Sequence, residues 1–140
     1  MKIERKVLEE IISTIGQSKP ETGGVLGMKD GVICAFYFDK NADSELGAYC
    51  PNTDDINSKL QEWGDEGISF AGIIHSHPNN CRLLSNGDEE GIKTIVKAIP
   101  AFEELYFPIV TNDDCFSMTV YSIRLKKENI CINEIGYELI

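Results

Sequence analysis

An uncharged, mostly apolar run, Ile68-Ser69-Phe70-Ala71-Gly72-Ile73-Ile74, leads straight into His75-Ser76-His77-Pro78. Such a β-forming run predicts a buried strand. Residues two apart on a strand face the same side. His75 and His77 can therefore present two imidazoles to one point, and the chain has no other histidine. Imidazole suits zinc and its neighbours, and catalytic zinc sites take three protein ligands and keep a fourth position for water. Asp88 is the candidate third ligand, after a loop that folds back. Ser85, three residues earlier, has a second reading: Ser85-x-x-Asp88 predicts a helix start with Ser85 as N-cap and Asp88 at N3, where Glu or Gln is usual. The two readings are compatible, because a capped first turn holds Asp88 rigidly. Taken alone, a His-x-His pair also reads as a chance repeat or a satisfied buried pair.

Upstream, residues 1–16 predict an amphipathic helix with Val7, Leu8, Ile11, Ile12 and Ile15 on one stripe, stopped by Gly16 and Pro20. Such a stripe is core packing. Residues 22–28 and 32–38 predict two strands joined by Lys29-Asp30-Gly31, a strong hairpin signal. Gly23 and Gly24 leave little side chain near Glu21, which admits a substrate backbone or eases a bulge. Residues 39–47 read as a loop and 48–50 as a brief strand before Pro51. Asn52 or Thr53 caps a helix carrying Asp54 and Asp55 in its first turn and Ile56, Leu60 and Trp63 at helical spacing. Trp63 reads as a packing residue.

Beyond Asp88 a helix is expected to Ala98, with Ile92, Ile95, Val96 and Ile99 inward. Strands follow at 105–111, 116–125 and 130–135, with a turn at Asn112-Asp113-Asp114. Strand and helix patterns alternate, so the expected class is α/β, a single mixed β-sheet flanked by helices. One domain over residues 1–140 is expected, since this length supports one real core.

The formal net charge of −10 argues against binding a phosphate backbone and leaves room for a basic partner. No apolar run is long enough to span a membrane, and the first residues are charged rather than signal-like. Cys34, Cys50, Cys81, Cys115 and Cys131 are scattered and odd in number. They read as reduced thiols of a cytoplasmic protein.

His75-x-His77-Pro78, six residues, then Ser85-x-x-Asp88 resembles the JAMM motif of the JAB1/MPN/Mov34 metalloproteases. Pro20-Glu21-Thr22-Gly23-Gly24-Val25-Leu26-Gly27 resembles the bacterial form of the segment that carries that family's upstream glutamate. The resemblance covers most of the chain, from the first helix to the strands after Asp88. It implies a JAB/MPN (cytidine-deaminase-like) core with a curved sheet and a helix on each side. It implies zinc held by His75, His77 and Asp88, with Glu21 as general acid/base. By itself, a glutamate at a strand edge is a solvated acid. Ser85 would donate a hydrogen bond to the developing oxyanion, and Ser76, on the opposite face, reads as structural.

Relatives in the family cleave peptide or isopeptide bonds after the tail of a ubiquitin-like or sulfur-carrier protein. The compact chain implies a prokaryotic type with such a tail as substrate. Two alternatives remain: a zinc-stabilised binding module that grips an extended tail without cutting it, and a hydrolase of some other small amide.

Overall fold

The structure is a computed structural model that describes residues 1–42, 48–99 and 101–140. Its elements run β1 (Lys2–Ile3), α1 (Arg5–Ser13), a 3₁₀ turn (Ile15–Gln17), β2 (Gly23–Lys29), β3 (Val32–Phe38), α2 (Thr53–Asp65), β4 (Ser69–Ser76), α3 (Asn86–Ala98), β5 (Leu105–Thr111), β6 (Ser117–Lys126), β7 (Asn129–Ile135) and β8 (Glu138–Leu139). The strands form one mixed sheet in the order β7-β6-β5-β4-β2-β3-β1-β8. The α/β class with one mixed sheet is therefore present.

Alternation along the strands sorts side chains onto two faces. Leu26, Ile74, Val110 and Val120 join Val7, Leu8 and Ile11 of α1 in one apolar cluster. Their neighbours Ile109 and Tyr121 pack with Ile92 of α3, and Val25 packs with Ile56 and Trp63 of α2. Trp63 is buried as expected. Thus α1 covers one face and α2 and α3 the other.

Local chemistry explains the joints. Asp30 and Gly31 both have positive φ, 52° and 79°, which suits the tight turn between β2 and β3. At α2, the Asn52 side chain accepts the Asp55 N–H. Gly67, at φ 75°, ends that helix, and the Ile68 N–H reaches back to Trp63 O at 2.9 Å. Between β4 and β5, which run parallel, α3 makes the crossover.

The first element differs from the expected helix over residues 1–16. Lys2 and Ile3 pair in parallel with Val32 and Ile33 of β3 and with Glu138 and Leu139 of β8. The helix then stops at Ser13, where the Thr14 hydroxyl bonds back to Glu10 O at 2.7 Å. Ile15 keeps its buried place in the 3₁₀ turn. Of the brief strand expected at residues 48–50, only a single β-bridge at Cys50 is present; side-chain and main-chain contacts of Tyr49 hold the rest. Most of the polar stretch 39–47 lies outside the described residues. All five cysteines are free thiols, and among the described residues no helix is long and apolar enough to cross a membrane.

The β4–β5 pairing depends on Gly72. Its φ is 144°, and a Cβ there would lie 1.7 Å from Tyr106 O. Strain at such a φ costs about 1–3 kcal/mol, before any backbone displacement. Gly72→Ala is therefore expected to lower the melting temperature by about 10 °C. Circular dichroism melts of the two proteins side by side provide the check.

Candidate metal centre

Two strands and a helix start build the site. β2 and β4 are antiparallel, with Gly23 opposite His75. The ladder continues beyond β2, since the Ser76 N–H donates to Thr22 O at 2.8 Å and the Thr22 N–H to Ser76 Oγ at 3.1 Å. This fixes Glu21 beside the end of β4. Ser76 holds that corner from the other face of the strand, the structural part expected of it. The His77 N–H donates to Val110 O at 3.0 Å, so β5 sets the second histidine.

The third arm comes from α3. Ser85 is its N-cap: Oγ accepts the Asp88 N–H at 3.1 Å, and the Ser85 N–H donates to Asp88 Oδ2 at 2.8 Å. The capping box is complete. The same carboxylate faces the histidines, with Oδ1 2.9 Å from His75 Nε2 and Oδ2 3.1 Å from His77 Nε2. The two Nε2 atoms are themselves 2.9 Å apart. A Glu21 carboxylate oxygen completes a group with the two imidazoles in which all ligand atoms lie within 4.8 Å of one another. Thus the structure brings His75, His77, Asp88, Glu21 and Ser85 to one end of the sheet.

This arrangement fits a divalent metal. Tetrahedral bonds of 2.0–2.1 Å separate ligand atoms by about 3.3 Å; the two Nε2 atoms stand 2.9 Å apart, and each has an Asp88 oxygen at 2.9 or 3.1 Å, so a small outward shift would admit an ion. Burial opposes ionisation of Asp88, but hydrogen bonds from His75 and His77 outweigh it and hold the carboxyl well below its usual range. With Asp88 ionised, both imidazoles must donate to it, and their N–H groups then face each other across 2.9 Å. A cation at the centre removes that conflict, because all three groups can turn lone pairs toward it.

Around the triad, the Tyr49 ring stacks on His75 with centroids 6.2 Å apart and planes at 21°. The Tyr49 N–H donates to Glu21 Oε2 at 3.2 Å, and its hydroxyl to Asp39 Oδ2 at 2.9 Å. Asp39, 2% exposed, also accepts the Asn52 N–H at 2.9 Å. Sequence reasoning missed Asp39 and Tyr49. The one signal available was an aromatic residue inside an otherwise polar stretch. It also left the role of Gly23 open. A Cβ on Gly23 would lie 2.6 Å from the Tyr49 ring, so the glycine makes room for that ring.

A cleft of about 390 Å³ opens beside the triad, within the size range of ligand pockets. Glu21, His75, Ser85 and Asp88 stand at its polar end, and Ile73, Ile92, Ile95 and Phe107 line its apolar part.

No protein-family model matches the chain, and no curated protein matches it. Among solved structures, the chain is similar to a protein from Desulfitobacterium hafniense at 20% identity, with a TM-score of 0.69 over 99% of this chain and 92% of that one. It is also similar to a protein from Salinibacter ruber at 19% identity, with a TM-score of 0.60 over 100% of this chain and 92% of that one. At these identities the likeness establishes the fold alone.

The metal-free site has a pH signature. The hydrogen bond that His77 donates to Asp88 raises His77 from 6.5 to about 9, so its contribution to stability is complete below pH 6.5 and lost as pH rises through about 9. The depressed Asp88 contributes above the usual carboxylate range and loses that as pH falls. Metal-free protein is therefore expected to melt highest between about pH 4 and 6.5. Zinc needs neutral imidazole, so the stabilisation it adds is expected to grow from pH 6 to 9. Melts with and without zinc across that range test both slopes. A zinc increment that shrinks with pH would count against ligation by these histidines.

Proposed function

We propose that the chain is a zinc-dependent peptidase or isopeptidase of the JAMM type, with a JAB/MPN core, which cleaves the amide bond after the C-terminal tail of a ubiquitin-like or sulfur-carrier protein. The observation that carries this reading is the convergence of His75, His77 and Asp88 on one point with Glu21 beside them. The spacing of the motif residues supports it, and the fold is compatible with it.

On this reading His75 Nε2, His77 Nε2 and the Asp88 carboxylate would hold the ion. Zinc held there would supply the Lewis acidity needed to activate water and an amide carbonyl near neutral pH. Glu21 takes the proton from the attacking water and returns it to the leaving nitrogen. Its Oε2 is held by the Tyr49 N–H, which leaves Oε1, without a protein hydrogen bond among the described residues, to carry that proton. Ser85 Oγ accepts the Asp88 N–H, so its own proton is free to stabilise the oxygen that becomes negative. The apolar cleft wall shelters the reacting bond from bulk water.

Removing these groups should separate their parts. Asp88→Ala and His77→Ala are expected to lose zinc, about one ion per chain in the wild type by mass spectrometry, and with it all cleavage. Glu21→Gln is expected to keep zinc and lose about 10²–10⁴ in kcat. Ser85→Ala is expected to keep zinc and lose about 10²–10³. The substrate to use is a ubiquitin-like or sulfur-carrier protein extended past its C-terminal tail, with unrelated amides as comparison. Cleavage that survives Asp88→Ala would overturn the reading. A wild type that holds zinc and binds the tail but never cuts it would make the chain a binding module.

A further inference from the structure

The segment from Ala48 to Asn52 borders the cleft outside the helices and longer strands, with a single β-bridge at Cys50, so side-chain contacts carry much of its anchoring. Two contacts from one residue do so on the site side: the Tyr49 N–H on Glu21 and the Tyr49 ring on His75. A third contact, from the same residue, points away from the site to Asp39 at the end of the β2–β3 hairpin. Asp39 is tied into the sheet by its own N–H, which donates to Gly23 O at 2.9 Å. It also reaches the first turn of α2 through the Asn52 N–H. Glu21 is otherwise an acid at a strand entrance, with no other protein hydrogen bond among the described residues.

We propose that Tyr49 is a positioning residue, whose hydroxyl, anchored on Asp39, keeps its main-chain N–H on Glu21 and its ring on His75. The two halves of the side chain have separate tasks. The ring limits rotation of a ligand imidazole, as groups packed around metal ligands commonly do. The hydroxyl fixes the strap, and through the strap it fixes which Glu21 oxygen is left for the proton. Burial and the nearby Asp39 carboxylate push the phenol far above its usual pKa, so it stays a donor. The structural effect of Tyr49 on Glu21 holds whatever the substrate; only its effect on turnover rests on the function proposed above.

The test uses the zinc-loaded full chain and reads amide exchange at position 49 by NMR, zinc affinity and, where a substrate is found, kcat and KM. Glu21→Ala, which removes the acceptor, sets the fast-exchange limit. Tyr49→Phe and Asp39→Asn are each expected to speed exchange of that amide by at least about tenfold. They should leave zinc affinity within about twofold and lower kcat by about 10–100-fold at unchanged KM. Tyr49→Ala is expected to weaken zinc binding by about tenfold as well, because it also removes the ring. Exchange in Tyr49→Phe as slow as in the wild type would overturn the proposal. So would unfolding of Tyr49→Phe, which would make the hydroxyl a support of the whole fold. If no substrate is ever cleaved, the proposed function falls, and the exchange and zinc measurements still decide the part assigned to Tyr49.

Discussion

Everything at the site depends on the pairing of β2 with β4. Those strands lie about fifty residues apart in sequence, and their register sets Gly23 against His75. Slipping it by one residue would turn both histidines to the α1 face, because side chains alternate along a strand. That face is filled by Val7, Leu8, Ile11 and their neighbours, so the slipped state would bury imidazoles among hydrocarbon. The hydrophobic core thus enforces the register, and the register delivers Glu21 to the two imidazoles. The Asp-Gly turn helps from a distance, since it fixes the hairpin that β2 shares with β3.

Local patterns made much of this legible. The strand into His75, the hairpin at Asp30 and Gly31, and the capped turn at Ser85 each rest on neighbours in sequence, where residue type speaks directly. What escaped was short or irregular. β1 and β8 have two residues each, too few for a period to register. Ile3 stands four residues before Val7, so it satisfied a helical stripe as well as a strand. Asp39 and Tyr49 act through an irregular segment, partly through a main-chain N–H that every residue but proline possesses. No periodicity marks such a contact, although Tyr49 lies 28 residues from the acid it holds.

The polar residues at the end of β4 set a further constraint. His75, Ser76 and His77 are 6%, 4% and 4% exposed, and buried polar groups destabilise a fold unless they are paired. Ser76 is paired twice with Thr22. The two imidazoles instead share one carboxylate and crowd each other. A purely structural role would have favoured one partner for each ring. That crowding would be relieved by a divalent cation placed among the three groups.

The composition of the α3 cap fits the same constraint. In a capping box the third residue is usually Glu or Gln, and here it is Asp88. Asp reaches the Ser85 N–H at 2.8 Å while its two oxygens stand 2.9 and 3.1 Å from the imidazoles. A glutamate would carry the carboxylate one methylene further from the helix. It could keep the cap only by folding back, or keep the imidazoles only by releasing the Ser85 N–H. The shorter acid serves both at once, with its charge at the helix N-terminus where it is favoured. Stability of the first turn of α3 and approach to the two imidazoles are therefore one requirement on one side chain.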